Sequence, residues 1–140
     1  MLRGRCLCGK VSYEIDGEPT VVAHCHCRDC QRLTGSGHST GAMFPVQRIR
    51  VRGEPSEFRL AADSGNTVTR SICGACGSPL FGRNTGMEGV MTVCVGTLDD
   101  PGAVTPQVTV FARSRNHWDA FDAALPTYEA QPSWKPPADP

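Results

Sequence analysis

The chain has 140 residues, 14 basic and 14 acidic side chains, and zero formal net charge, which bounds it to about one domain. Zero net charge gives no general attraction to nucleic acid or anionic lipid. No run of about 18 apolar residues is present to span a membrane, so neither nucleic acid nor membrane is an expected partner.

The first residues, Met1-Leu2-Arg3-Gly4-Arg5, lack the apolar core of a secretory leader, and a cytoplasmic location is expected. In a reducing compartment the eight cysteines point to metal or catalysis rather than disulfides. The first pair, Cys6-Leu7-Cys8-Gly9, has the form of a metal knuckle: two thiols on a tight turn, then a glycine able to take positive φ. Val11, Tyr13 and Ile15 alternate with polar residues and predict a half-buried strand, which Asp16-Gly17-Glu18-Pro19 turns. Thr20 to Ala23 predicts a second strand that delivers His24 and Cys25-His26-Cys27-Arg28-Asp29-Cys30. Cys27 to Thr34 fits one or two helical turns closed by Gly35, with Cys27 and Cys30 on one face.

Ser39 to Phe44 predicts a strand stopped by Pro45. Arg48-Ile49-Arg50-Val51-Arg52 alternates cleanly, so its three arginines share a face, read as a solvated one. Gly53-Glu54-Pro55 turns into Glu57 to Leu60, and after a further turn at Asp63-Ser64-Gly65-Asn66 the stretch Thr67 to Ile72 runs into Cys73-Gly74-Ala75-Cys76-Gly77. Val90 to Val95 is apolar on both faces and predicts a central strand, in which Cys94 is an inert buried thiol. Val108 to Phe111 predicts the last strand, and Trp118, Phe121 and Leu125 a short amphipathic helix ending before Pro126. Residues 1–130 are read as one domain and 131–140 as a Pro-rich tail.

The two Gly-terminated knuckles, Cys6/Cys8 and Cys73/Cys76, are the expected halves of one four-thiolate zinc site. Cys25, Cys27 and Cys30 are then left one ligand short, with water, a histidine or an external thiol as the fourth. His24 and His26 are better read as outer donors than as ligands. Zinc held by three thiolates carries about one net negative charge, which suits capture and activation of a further soft thiol better than carbonyl polarisation. Arg28 and Arg32, one turn apart if helical, are candidates to meet that ligand's carboxylates, and His38 to shuttle a proton.

The segments Gly4-Arg5-Cys6-Leu7-Cys8-Gly9-Lys10-Val11-Ser12-Tyr13, Cys25 to Gly35, Cys73-Gly74-Ala75-Cys76-Gly77-Ser78 and Gly96-Thr97-Leu98-Asp99 resemble the glutathione-dependent formaldehyde-activating enzyme family, whose domain also occurs in a centromere-associated protein. The likeness runs over roughly residues 3–125; Asn116-His117-Trp118 stands where the family commonly has Ala-Pro-Trp. The resemblance implies a mostly β, zinc-clamped antiparallel β-tent with short helical turns. It implies two zinc ions per chain, one on Cys6, Cys8, Cys73 and Cys76 and one at Cys25, Cys27 and Cys30, with glutathione as the thiol co-substrate. The implied activity is that of a carbon–sulfur lyase acting on the adduct of glutathione and formaldehyde, with Cys25, Cys27 and Cys30 at the catalytic site. The alternative is a non-catalytic zinc module that binds a thiol or a protein partner.

Overall fold

A computed structural model describes residues 1–132. Most of the expected tail, 133–140, lies outside the described residues. Among those residues ten strands form two sheets. The small sheet joins β1 (Leu2–Arg5), β2 (Ser12–Ile15) and β5 (Ile49–Arg52) in the order β1-β2-β5. The large sheet is built from β3 (Val21–Cys25), β4 (Ser39–Pro45), β6 (Ser56–Ala61), β7 (Thr67–Ile72), β8 (Pro79–Asn84), β9 (Val90–Cys94) and β10 (Val108–Val110). Its order is β10-β3-β4-β9-β8-β7-β6, antiparallel throughout except that β10 runs parallel to β3.

Period-two alternation decides what each sheet buries. On β2, Tyr13 and Ile15 are buried and meet Phe44 and Ala42 of β4, Phe81 and Leu80 of β8, and Met91 and Val93 of β9 in the main core. Tyr13 and Phe81 pack edge to face, with centroids 5.2 Å apart. The Tyr13 hydroxyl is satisfied by Thr97 Oγ1 at 2.6 Å, which lets a phenol be fully buried. The opposite face of the large sheet holds a smaller cluster of Val21, Val108 and Val110, flanked by Ala23, Cys25 and Met43.

Sequence patterning marks β2, β3, β4, β5, β9 and β10; it does not mark β6, β7 and β8, nor β1, because Leu2-Arg3-Gly4-Arg5 carries too little alternation to signal a strand. The structure also corrects the arginine stripe: Arg48 sits in a 3₁₀ turn before β5, while Arg50 bonds Asp16 at 2.7 Å and Glu14 at 3.3 Å. The expected helix through Trp118, Phe121 and Leu125 does not form. That segment runs through turns with Trp118 exposed, and then returns beside β10, where Thr109 N–H donates to Pro126 O and Tyr128 N–H to Thr109 O, each at 2.9 Å. Pairing with an open strand edge replaces the internal hydrogen bonds of a helix too short to be stable alone.

Candidate functional site

The four-cysteine group forms where two knuckles meet. Cys6 and Cys8 follow β1, and Cys73 and Cys76 follow β7. Gly9 at φ 81° and Gly77 at φ 78° take the left-handed turn that the sequence anticipates, which a side chain would strain. The turns close with Gly9 N–H on Cys6 O and Gly77 N–H on Cys73 O. One donor sulfur from each of the four residues lies within 4.8 Å of the others. Cys6 and Cys8 sulfurs are 3.6 Å apart, and Cys8 and Cys73 sulfurs 3.7 Å. Those distances are far too long for a disulfide, and all eight cysteines are free. Four thiolates bound at about 2.3 Å to a tetrahedral zinc stand roughly 3.8 Å apart, so the donor set fits that ion.

The second group is Cys25, Cys27 and Cys30, whose sulfurs also lie within 4.8 Å of one another. Cys25 ends β3, Cys27 is the N-cap of the helix α1 (Arg28–Thr34), and Cys30 lies in its first turn. Cys27 Sγ accepts the Cys30 backbone N–H at 3.3 Å. Gly35 ends the helix at φ 67°. The crowded sulfurs do not ionise independently. Hydrogen bonds from Cys25 and Cys27, with the charge of Arg70 in support, pull Cys30 down to about 2, whereas the Cys25 thiol is pushed up by Cys27, Cys30 and burial. A set that opposes full ionisation by itself, yet offers three converging sulfurs, is suited to a cation. Cys94 lies outside this group, half-buried at the end of β9, and burial pushes its thiol up to about 11.

A cleft of about 150 Å³ opens beside Cys25 and Cys30 on the face of the large sheet away from the main core. Alternation puts Cys25, Ser39, Met43, Thr92 and Arg70 on this face and the core residues on the other. Two glycines clear space here, Gly41 in the cleft lining and Gly82 beside Arg70. A methyl at Gly41 would overlap Thr92, and one at Gly82 would come within 2.8 Å of the Arg70 guanidinium. Arg70, which pairs across to Gly82, reaches Cys30 Sγ at 3.8 Å. A larger cleft, about 210 Å³ along the small sheet, is lined by arginines and Tyr13 and contains no thiol.

Arg28 and Arg32 are exposed on α1, and neither lines the cleft. Arg28 instead bonds the Gln31 amide. The sequence reading passed over Arg70, which lies on a strand 40 residues away from Cys30 with no local motif to mark it. It also passed over Gln31, a buried amide that donates to His26 O at 2.8 Å and Ser114 O at 3.0 Å and accepts from Asn116 at 3.2 Å. Gln31 thereby fastens the cysteine loop to the C-terminal segment, and Asn116 supplies one of the bonds.

Residues 1–114 match the family described as "Glutathione-dependent formaldehyde-activating enzyme". The chain belongs to this family. Two curated relatives, from Aspergillus flavus and Aspergillus oryzae, are each named "Putative glutathione-dependent formaldehyde-activating enzyme". Each is 27% identical over 114 residues, which cover 78% of this chain and 59% of the relative. The match thus spans less than two thirds of these family members. A crystal structure of a Rhodobacter sphaeroides protein aligns with a TM-score of 0.56 at 21% identity, covering 74% of this chain and 91% of that one. At that identity the likeness shows a shared fold.

Proposed function

We propose that the chain catalyses formation or cleavage of a thiol–aldehyde adduct, with glutathione as the thiol and formaldehyde as the aldehyde. The observation that carries this reading is the set of three converging cysteine sulfurs, two of whose residues, Cys25 and Cys30, line a cleft with the half-buried Arg70 guanidinium beside them. Family membership supplies the substrate pair. Zinc would be held by Cys6, Cys8, Cys73 and Cys76 at one site and by Cys25, Cys27 and Cys30 at the other. At the second site a bound zinc supplies an acceptor for a soft thiolate and lowers that thiol's pKa.

The chain's own residues do the rest. Cys25 and Cys30 present their sulfurs at the cleft mouth, while Cys27 holds the loop through its bond to the Cys30 N–H. The apolar walls, Val21, Val108, Val110 and Met43, exclude water from the reacting carbonyl. In the addition, the sulfur lone pair forms the C–S bond as the carbonyl π pair moves to oxygen. That oxygen takes up the proton the thiol lost, and cleavage reverses the step. Arg70 is placed to stabilise the charge that builds on this oxygen. Carbon and sulfur are joined without net oxidation, which is the balance of a carbon–sulfur lyase. A cytoplasmic setting, where glutathione is abundant, is consistent with this reading, and among the described residues no helix is long and apolar enough to cross a membrane.

The test is the rate at which glutathione and formaldehyde interconvert with their adduct, read by exchange NMR on the zinc-loaded chain. Acceleration over the uncatalysed exchange, abolished in Cys27→Ser, is the expected result. An uncatalysed rate from fully loaded protein would sink the enzyme reading and leave a thiol-binding module.

A further inference from the structure

The side of β3 away from the cleft carries a second set of donors. Side chains alternate along an extended chain, so His24 and His26 point away from Cys25. The extended path continues past β3, since His26 N–H still bonds Val110 O at 3.1 Å. On that side one donor atom each from His26, His38 and Asp119 lies within 4.8 Å of the others. Asp119 Oδ2 is 3.2 Å from His26 Nδ1 and 2.8 Å from His38 Nδ1.

His26 is 2% exposed, and its Nδ1 has no hydrogen-bond partner. Asp119 is near, but not along a direction in which a ring N–H could donate to it. With no proton donated from it, Nδ1 turns a lone pair toward the Asp119 carboxylate oxygen 3.2 Å away. Two lone-pair donors held this close in a buried place repel each other, and the repulsion is relieved by a cation between them.

We propose that His26, His38 and Asp119 form a third metal site, a two-histidine, one-carboxylate set for a divalent first-row transition ion. Imidazole and carboxylate donors suit zinc, iron(II), cobalt(II) or nickel(II), whereas the thiolate groups favour softer ions. Ligands bound at about 2.0–2.2 Å on neighbouring positions stand roughly 3.0–3.4 Å apart, and the two measured separations lie close to that spacing. The supporting contacts are those of a ligating set. His24 packs edge-on against His38 at 5.1 Å and is itself held by Thr40 Oγ1 at 2.8 Å. Gly37 leaves room for the carboxylate, since a methyl there would overlap Asp119. An ion bound here would take the place of the direct contact between His38 Nδ1 and Asp119 Oδ2.

The site does not depend on the proposed reaction. Because His26 lies between Cys25 and Cys27, an ion here ties the segment carrying Asp119 to the three-cysteine loop. Three protein ligands leave its remaining positions to water.

The test titrates the full chain with Co²⁺ and compares it with a His38→Gln/Asp119→Asn double variant. Ions retained per chain are counted after gel filtration, and visible and near-ultraviolet spectra are recorded. The wild type is expected to retain one more Co²⁺ per chain. The wild-type-minus-variant spectrum should show weak visible bands without the intense thiolate-to-cobalt bands of the cysteine sites. Equal Co²⁺ content, or a difference spectrum carrying thiolate bands, overturns the proposal. If the double variant lacks the wild-type circular dichroism spectrum, His38→Gln alone is scored by the same two measures.

Discussion

Replacing Cys73 by Ser should collapse the stability of the chain, and replacing Cys27 by Ser should not. Cys8 and Cys73 are 65 residues apart in sequence, and their sulfurs are 3.7 Å apart in space. A cross-link closing a loop of that length, treated like a disulfide, restricts the unfolded chain by about 4 kcal/mol. Small domains are stable by only about 5–15 kcal/mol in all, and a structural zinc contributes about 10–16 kcal/mol on binding. Losing one of four ligands therefore removes a large part of the total. With a urea dependence of about 2 kcal/mol per molar, the midpoint should fall by at least about 2 M, and a chelator should bring the wild type to the same place. Cys27 differs in kind. Its sulfur accepts the Cys30 N–H as the helix N-cap, and serine is among the best residues for that bond. The Cys25–Cys30 loop closes over a few residues and constrains the unfolded chain little. Cys27→Ser should stay within about 1 kcal/mol of wild type while losing adduct exchange. Equal midpoint losses in the two variants, or none in Cys73→Ser, would refute this division of roles.

Arg70→Met removes a charge-assisted donor worth about 1.5–3 kcal/mol, so kcat/KM for adduct formation should fall by roughly 10- to 150-fold with little change in melting temperature. An unaltered kcat/KM would remove Arg70 from the reaction. Gly4→Ala forces a methyl into the Tyr13 ring and the Thr97 carbonyl, disturbing the Tyr13–Thr97 bond; a destabilisation of about 1–3 kcal/mol is expected in urea, and a neutral variant would count against this packing. The Asp16 carboxyl is held below the usual carboxylate range by its hydrogen bond from Arg50. A depressed folded pKa means the pair adds its small stabilisation above the ordinary carboxylate pKa and loses it as pH falls through the lowered value. Arg50→Met should therefore lower the melting temperature slightly at neutral pH and not in strong acid; an equal loss at both would assign the effect to packing.

Local pattern carried much of this protein. Cys6-x-Cys8-Gly9 and Cys73-x-x-Cys76-Gly77 announce tight turns because a thiol pair followed by a glycine at positive φ is a local geometry, and both glycines adopt it. Gly35 as terminator is equally legible, since that cap is settled within a few residues, whereas Cys27, read as the first helical residue, is the N-cap just outside the helix. The strand from Ser12 follows from apolar alternation, and the one from Val90 from a run that is apolar on both faces. The segment after Val110 was misread for the opposite reason. Trp118, Phe121 and Leu125 have helical spacing, but Thr109 offers backbone groups that the returning chain satisfies in extended form. No window on 118–125 contains that information.

The sequence by itself determined the thiol inventory, the turns that present the sulfurs, and the alternation that sends Cys25 to one side of β3 and His26 to the other. Tertiary structure alone decided what those groups face. Arg70 reaches Cys30 because β7 lies three strands from β4 and Gly82 clears the space between them. Asp119 reaches His26 and His38 because the chain after Val110 folds back over the loop, with Gln31 bonded to Ser114 and Asn116. Turns and caps are set by neighbours a few residues away, which a sequence displays. Contacts across 40 to 93 residues are set by which sheet faces can be buried together, and that is fixed only when the whole chain packs.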